Sequence, residues 1–258
     1  MIVLAVANQK GGVGKTTTAI NLGAGLAIEG YKCLVMDLDI QASATKGLIG
    51  ELEPGLPSTT EVLLDSTSVA DIIVPTGTDK LFLAPARETL AAADPKLARK
   101  REREFVVKKA LKDAALRKYS FVIIDTAPYL GLVTLNALMA SHRIIIPVTP
   151  EFFPLLGLKL LRETLESLKK EHGAKYKIIG YLLTMYDPRE RITGEAEALL
   201  RNNFGDDVFP KPIRVNTKLK AAPAQHKTAF QYEGESGKGA EDYREFTLEV
   251  LKRLGERG

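Results

Sequence analysis

Residues 2–17 read Ile2-Val3-Leu4-Ala5-Val6-Ala7-Asn8-Gln9-Lys10-Gly11-Gly12-Val13-Gly14-Lys15-Thr16-Thr17. The apolar run 2–7 suits a strand buried on both faces. Residues 16–29 carry a helical pattern, and Gly30 is its natural stop. A glycine-rich turn between a strand and a helix is where an anion binds, because the first amides of the helix point at it and the helix dipole favours it. Gly11, Gly12 and Gly14 allow the backbone to wrap closely around a phosphate, with Val13 between them. Lys15 is expected to reach the β- and γ-phosphates of a nucleotide. The Thr16 hydroxyl is expected to ligate magnesium, with Thr17 completing the loop. A plain glycine turn with a capping threonine is the alternative, and the strand before and helix after argue against it.

Working outward, apolar runs recur at 33–36, 81–85, 121–124, 144–148 and 178–184. They are rich in Val, Ile and Leu with little alternation, as in strands covered on both sides. Helical patterns at 16–29, 102–118, 155–171 and 240–254 lie between and after them. The alternation predicts an α/β fold, a mainly parallel sheet flanked by helices, in a single domain over residues 1–258. Residues 231–239 read as a mobile loop before the last helix. The run 121–124 delivers Asp125 at its end, the place for a carboxylate that holds Mg2+ through its water shell. The run 33–36 delivers Asp37 and Asp39. These two are expected to divide between the faces of the strand, so that only one addresses the phosphates.

Composition narrows the class. One cysteine, Cys33, among 258 residues excludes an intrachain disulfide and a cysteine-built metal site. Its apolar neighbours make it a core residue. No apolar stretch reaches the roughly 20 residues of a membrane span. The N-terminal apolar run lacks a basic leader, so the expected location is the cytoplasm. A net charge of +4 is compatible with an acidic partner. Residues 96–118 are strongly basic, opposed only by Glu102, Glu104 and Asp113, and read as a solvated helix face.

The usual phosphate loop has glycine at position 9. Here Gln9 stands there and Lys10 opens the loop. Lys10-Gly11-Gly12-Val13-Gly14-Lys15-Thr16 resembles the deviant Walker A motif of the ParA/Soj/MinD group of P-loop ATPases. Residues 37–48 (Asp37-Leu38-Asp39-Ile40-Gln41-Ala42-Ser43-Ala44-Thr45-Lys46-Gly47-Leu48) look like the Soj-type segment rather than that of MinD. Residues 125–138, 183–187 and 213–227 extend the resemblance over nearly the whole chain. Departures are Ile40 and Ala127, each in place of a proline, and Arg214-Val215-Asn216 in place of Pro-Arg-Asn.

The resemblance implies an ATPase using ATP and Mg2+, in a short form without an N-terminal winged-helix domain. It implies that Lys10 reaches the nucleotide of a partner subunit in an ATP-dependent homodimer. Asp39 would align the attacking water and touch the metal through water, with Lys10 and Lys15 completing the catalytic set. Asp37 would support the metal or the first helix, or cap a strand end. Met185 and Asn216 would lie near the base. Arg189 and Lys218 match residues that contact double-stranded DNA nonspecifically, and Arg191, Arg214, Lys220 and Lys227 would extend that patch. A ParB-like or cargo-adaptor protein would stimulate hydrolysis on the nucleoid, for chromosome or plasmid partition or for positioning of a protein body.

A MinD-like membrane-cycling ATPase is the alternative. It needs an amphipathic basic tail helix, and here Glu245 and Glu249 dilute that face, so the tail is expected to pack on the domain without stable membrane insertion. An iron–sulfur relative on this fold would need two cysteines per subunit. A small-molecule ligase would carry a substrate pocket in place of Lys10.

Overall fold

A computed structural model describes residues 1–64, 66–150 and 154–255. The strands are β1 (Ile2–Val6), β2 (Cys33–Leu38), β3 (Val74–Pro75), β4 (Leu81–Ala84), β5 (Phe121–Thr126), β6 (Arg143–Val148) and β7 (Lys177–Leu183). They form a seven-stranded sheet in the order β3-β4-β2-β5-β1-β6-β7. All neighbours are parallel except the β3–β4 pair at the edge. The helices are α1 (Lys15–Ile28), α2 (Ser43–Ile49), α3 (Thr59–Leu63), α4 (Ala93–Leu97), α5 (Val106–Ala110), α6 (Leu132–Ala140), α7 (Pro154–His172), α8 (Arg191–Phe204), α9 (Thr217–Ala221), α10 (Ala229–Glu233) and α11 (Lys238–Leu254).

The period of two along each strand assigns its side chains to layers. Leu4, Val6, Cys33, Val35, Phe121 and Ile123 pack with α1, α10 and α11. Val3, Leu34, Met36, Val122 and Ile124 pack with α3, α4, α5 and α6 on the other face. Ala5, Ile144, Ile146 and Leu183 join α7 and α8 in a third cluster. Burial on both sides explains why these strands carry no polar alternation. Cys33 is fully buried, and burial pushes its thiol up to about 12.

Three expectations are corrected. The predicted helix 102–118 is broken into a turn at Arg103–Phe105, the short helix α5 and a turn at Ala114–Lys118. Asn136 of α6 diverts the backbone by accepting from the Val107 amide at 3.1 Å and donating to the Arg103 carbonyl at 2.7 Å. Asp113 then starts a new turn by accepting from the Ala115 amide. The basic run is therefore no single solvated helix face. Lys100 donates to the Leu63 carbonyl, Arg103 to the Ala98 carbonyl, and Lys108 and Lys118 lie over the rings of Phe105 and Tyr119.

The second correction concerns 231–239. Thr228 and Gln231 form a capping box that starts α10, and α11 begins at Lys238, so only a short glycine turn remains of the expected loop. The third is the edge strand β3, which has two residues, one a proline, and gave no periodic signal.

The tail helix α11 buries Tyr243, Phe246, Val250 and Leu251 in the α1 cluster, as expected. The two helices touch most closely at Gly25 of α1, where an added Cβ would collide with the Thr247 side chain. Gly25→Ala is therefore expected to lower stability by about 1–3 kcal/mol despite alanine's higher helix propensity. Denaturant unfolding measures this, and a neutral or stabilising effect would contradict the packing described.

Candidate functional site

The C-terminal ends of β1, β2 and β5 open into a cleft of ≈ 410 Å3. Gly11, Gly12, Gly14, Lys15, Thr16 and Thr17 line one side and Asp39 another. Gly12 and Gly14 hold φ of +74° and +80°. A Cβ at Gly12 would meet open space, so the left-handed backbone rather than crowding requires glycine there. Helix α1 starts on Gly14 with no side chain capping it. Its first amides are left for an external anion.

Lys15 is buried, and its ammonium donates to the Lys10 carbonyl at 2.9 Å. Burial lowers its pKa, while Asp125 and Asp39 act to raise it. The Val13 side chain points into the core, so only its backbone serves the loop, and its carbonyl accepts from the Thr184 hydroxyl at 3.0 Å. Lys10 is exposed and lines neither this cleft nor the adjoining cavity.

Three carboxylates converge behind the loop. Asp37 and Asp125 are register partners on adjacent strands, and both are fully buried. Asp37 accepts from the amide and hydroxyl of Thr45, each at 2.8 Å, and from the Asp39 amide at 3.1 Å. It thus caps α2, whose own first position, Ala42, has no capping group. Burial pushes Asp37 up to about 6 against those hydrogen bonds.

Neither oxygen of Asp125 has a hydrogen-bond partner among the described residues. Burial first, and the charge of Asp37 second, hold its pKa well above the usual carboxylate range. Thr16 and Lys15 oppose that rise, the Thr16 hydroxyl from outside hydrogen-bonding geometry. Asp39 lies at the cleft wall and accepts from the Gln41 amide at 3.0 Å.

The expectation that Asp37 and Asp39 divide between two faces is wrong. Residues i and i+2 of a strand share a face. Asp37, Asp39 and Asp125 all sense one another. What separates their environments is depth: β2 ends at Leu38, and Asp39 emerges into the cleft while Asp37 stays beneath α2.

Among the described residues no cluster of three acidic, histidine or cysteine side chains could hold a metal alone. An orphaned buried carboxylate beside the Thr16 hydroxyl does fit a hard dication that takes most of its ligands from water and phosphate.

A second cavity of ≈ 300 Å3 continues from Gly14 and Thr17 past Thr184, Met185, Asn216 and Tyr243. Met185, with φ of +53°, and Asn216 thus line one cavity that adjoins the phosphate loop. Arg189 and Lys218 are exposed and outside both cavities. Arg189 is held by Asp187, whose carboxyl this hydrogen-bonded pair lowers to about 2.

Two neighbours expected to extend the basic patch have other contacts as well. Arg214 is bound by Asp242 and Glu241, and Lys227 lines the cleft. Sequence reasoning passed over Thr45, Ser43, Pro128 and Pro223, which complete the cleft or its support. All four lie in the segments 37–48, 125–138 and 213–227 that carry the family resemblance, but none has a side chain whose chemistry marked it for a role there.

The two buried carboxylates, Asp37 and Asp125, predict a pH response of the nucleotide-free protein. Asp37 and Asp125 bind protons more tightly folded than unfolded. Their contribution is complete below the unfolded value, about pH 4, and is lost as pH rises through about 6 for Asp37 and further for Asp125. Thermal unfolding across this range should show stability falling as pH rises. Asp125→Asn should raise nucleotide-free stability near neutral pH by roughly 1–3 kcal/mol and flatten the profile. A lower midpoint in that variant would show that the carboxylate is satisfied after all.

Comparison with known proteins identifies the family. A family model described as "AAA domain" matches residues 1–178. The sporulation initiation inhibitor protein Soj of Bacillus subtilis is 39% identical over 96% of this chain and 97% of its own. The crystal structure of cobyrinic acid a,c-diamide synthase from Mycobacterium smegmatis with bound ATP analog and magnesium is 33% identical. It superimposes with a TM-score of 0.84 over 99% of this chain and 96% of that one. The ATP complex of a Cyanothece McdA variant is 25% identical and reaches a TM-score of 0.87 over 100% and 98%. With its strand, loop and three carboxylates in place, the chain belongs to the ParA/Soj-type family of P-loop ATPases.

Proposed function

We propose that this ATPase is a dimerisation switch that binds DNA nonspecifically in its ATP state and segregates or positions a cargo, working as a single domain over residues 1–258 in the nucleoid-containing cytoplasm. The observation that carries this reading is Lys10: it belongs to the phosphate loop and is exposed, yet stands outside the cleft that Gly11, Gly12, Gly14, Lys15, Thr16 and Thr17 line. A lysine so placed suits the nucleotide of a second subunit. Curated relatives named as chromosome-partitioning ATPases, from Treponema pallidum and Thermus thermophilus, support the same reading. A ParB-like or cargo-adaptor protein would stimulate turnover.

The cofactors are ATP and Mg2+. When bound, Mg2+ would offset the negative charge that develops during phosphoryl transfer. Thr16 would ligate it directly, and Asp125 and Asp39 through water. The loop amides from Gly11 to Thr17 and the Lys15 ammonium hold the phosphates. Asp39, the one carboxylate of the three at the cleft wall, orients the attacking water. Asp37 is spent on capping α2 and serves by holding the Asp39 turn. Met185 and Asn216 flank the base.

Arg189 and Lys218 contact DNA phosphates, Arg189 exchanging Asp187 for a phosphate. The membrane-cycling alternative has less support, because α11 packs its apolar face on α1.

Asp39→Ala should retain ATP and magnesium binding but lose turnover by about a hundredfold, a positioning loss. It should accumulate as an ATP-bound dimer in light scattering, and unchanged turnover would move the role to another group.

The same trapped dimer tests the DNA reading. It should bind random-sequence duplex only with ATP, and affinity should fall steeply with salt, each neutralised phosphate adding about −0.9 to the log–log slope. Arg189→Ala or Lys218→Ala should flatten that slope without changing dimerisation. Absent or salt-insensitive DNA binding, with ATP-dependent pelleting on anionic liposomes, would overturn the DNA reading.

A further inference from the structure

The wall of the second cavity hangs on one half-buried carboxylate. Glu233, the last residue of α10, accepts from Asn216 Nδ2 at 2.7 Å and from the Gly239 amide at 3.1 Å. Helix α11 starts on Gly237, which has no side chain to cap it, so Glu233 supplies that cap from outside the helix. Asn216 uses its Oδ1 to accept from the Lys218 amide at 2.9 Å and so caps α9. Both ends of the Asn216 amide are therefore committed, Nδ2 to a carboxylate and Oδ1 to an amide. Only one orientation of the side chain satisfies both. Asn216 and Leu219 of α9 face the same cavity as Met185 and Tyr243.

We propose that Glu233 is a positioning residue for base recognition: by fixing the orientation of Asn216 and the seat of α9, it sets the affinity for the base of ATP and the preference for adenine over guanine. The proposal rests on the reading of the second cavity as the base site. Adenine and guanine differ by exchanging a donor for an acceptor on the same edge. A side-chain amide distinguishes them only if it cannot rotate to offer its other end, and Glu233 holds the Nδ2 end against that rotation while the Lys218 amide holds Oδ1. The wall must also stay in register with the base, since a shift of about 1 Å weakens contacts that depend on geometry. Arg214 and Asp242 tie the same segment to α11 but leave the Asn216 amide untouched, so segment anchoring and amide orientation are separable.

The test measures dissociation constants for Mg-ATP, Mg-GTP and Mg-tripolyphosphate by competition against a fluorescent ATP analogue. The proteins are the natural chain, Glu233→Ala, Asn216→Asp, and the pair Asn216→Asp with Glu233→Gln. Glu233→Ala should weaken ATP about tenfold, the scale of one hydrogen bond to a charged group. It should lower the ATP-to-GTP preference in step, leave tripolyphosphate within about twofold, and leave kcat at saturating ATP unchanged.

Asn216→Asp sets two carboxylates against each other and should do the same. The pair exchanges donor and acceptor across the contact, keeps both helix caps, and should recover ATP affinity.

A lower thermal midpoint in Glu233→Ala with an unchanged ATP-to-tripolyphosphate ratio would make Glu233 a helix cap and overturn the proposal. If Glu233→Ala does not fold, failure of the pair to recover relative to Asn216→Asp overturns it as well. Equal affinity of the natural chain for ATP and tripolyphosphate would refute the base-site reading itself, and the positioning role would fall with it.

Discussion

Two carboxylates lie side by side in the interior of this protein, and the arrangement of the site follows from that juxtaposition. Register pairing of β2 with β5 sets Asp37 against Asp125, both without solvent. Two buried like charges in contact are unfavourable unless something cationic or a proton intervenes. Asp37 is relieved by three donors from α2 and the Asp39 turn. Asp125 is relieved by none among the described residues, and its surroundings are Lys15, Thr16 and the start of α1. The site is thus built with an electrostatic deficit that a cation resolves, at the spot where an uncapped helix end awaits an anion. Cation and polyanion together satisfy what each alone leaves open, which is why nucleotide and metal are expected to bind as one species.

Most of this was legible in residues 2–17. A two-sided apolar strand, glycines at the positions that take positive φ, and a lysine and threonine opening the helix specify loop geometry and chemistry locally, and local signals survive without knowledge of the fold. The parallel sheet was legible for the same reason: strands buried on both faces must be apolar throughout.

What was not legible depends on contacts distant in sequence. Helicity at 102–118 is overridden by Asn136, some thirty residues downstream. Asp37 is held by Thr45 of the next helix, and Arg214 is paired with Asp242 of α11. The misassigned faces of Asp37 and Asp39 had a different origin, since strand periodicity already places both on one side and only the depth of each required the structure.

The order of strands has a consequence for how the protein is made. β1 is synthesised first, but its two neighbours in the sheet are β5 and β6, so its register partners run from Phe121 to Ile145. Until those segments leave the ribosome, the strand that feeds the phosphate loop has nothing to pair with. The loop then lacks the fixed ends that hold Gly12 and Gly14 in shape. Nascent chains that lack β5 and β6 would therefore leave the apolar β1 unpaired and the phosphate loop without its fixed ends. Non-local parallel pairing of this kind folds slowly and leaves strand edges open meanwhile. Chaperone demand should fall on the interval before β5 and β6 emerge, and nucleotide can stabilise the chain only once they have paired with β1.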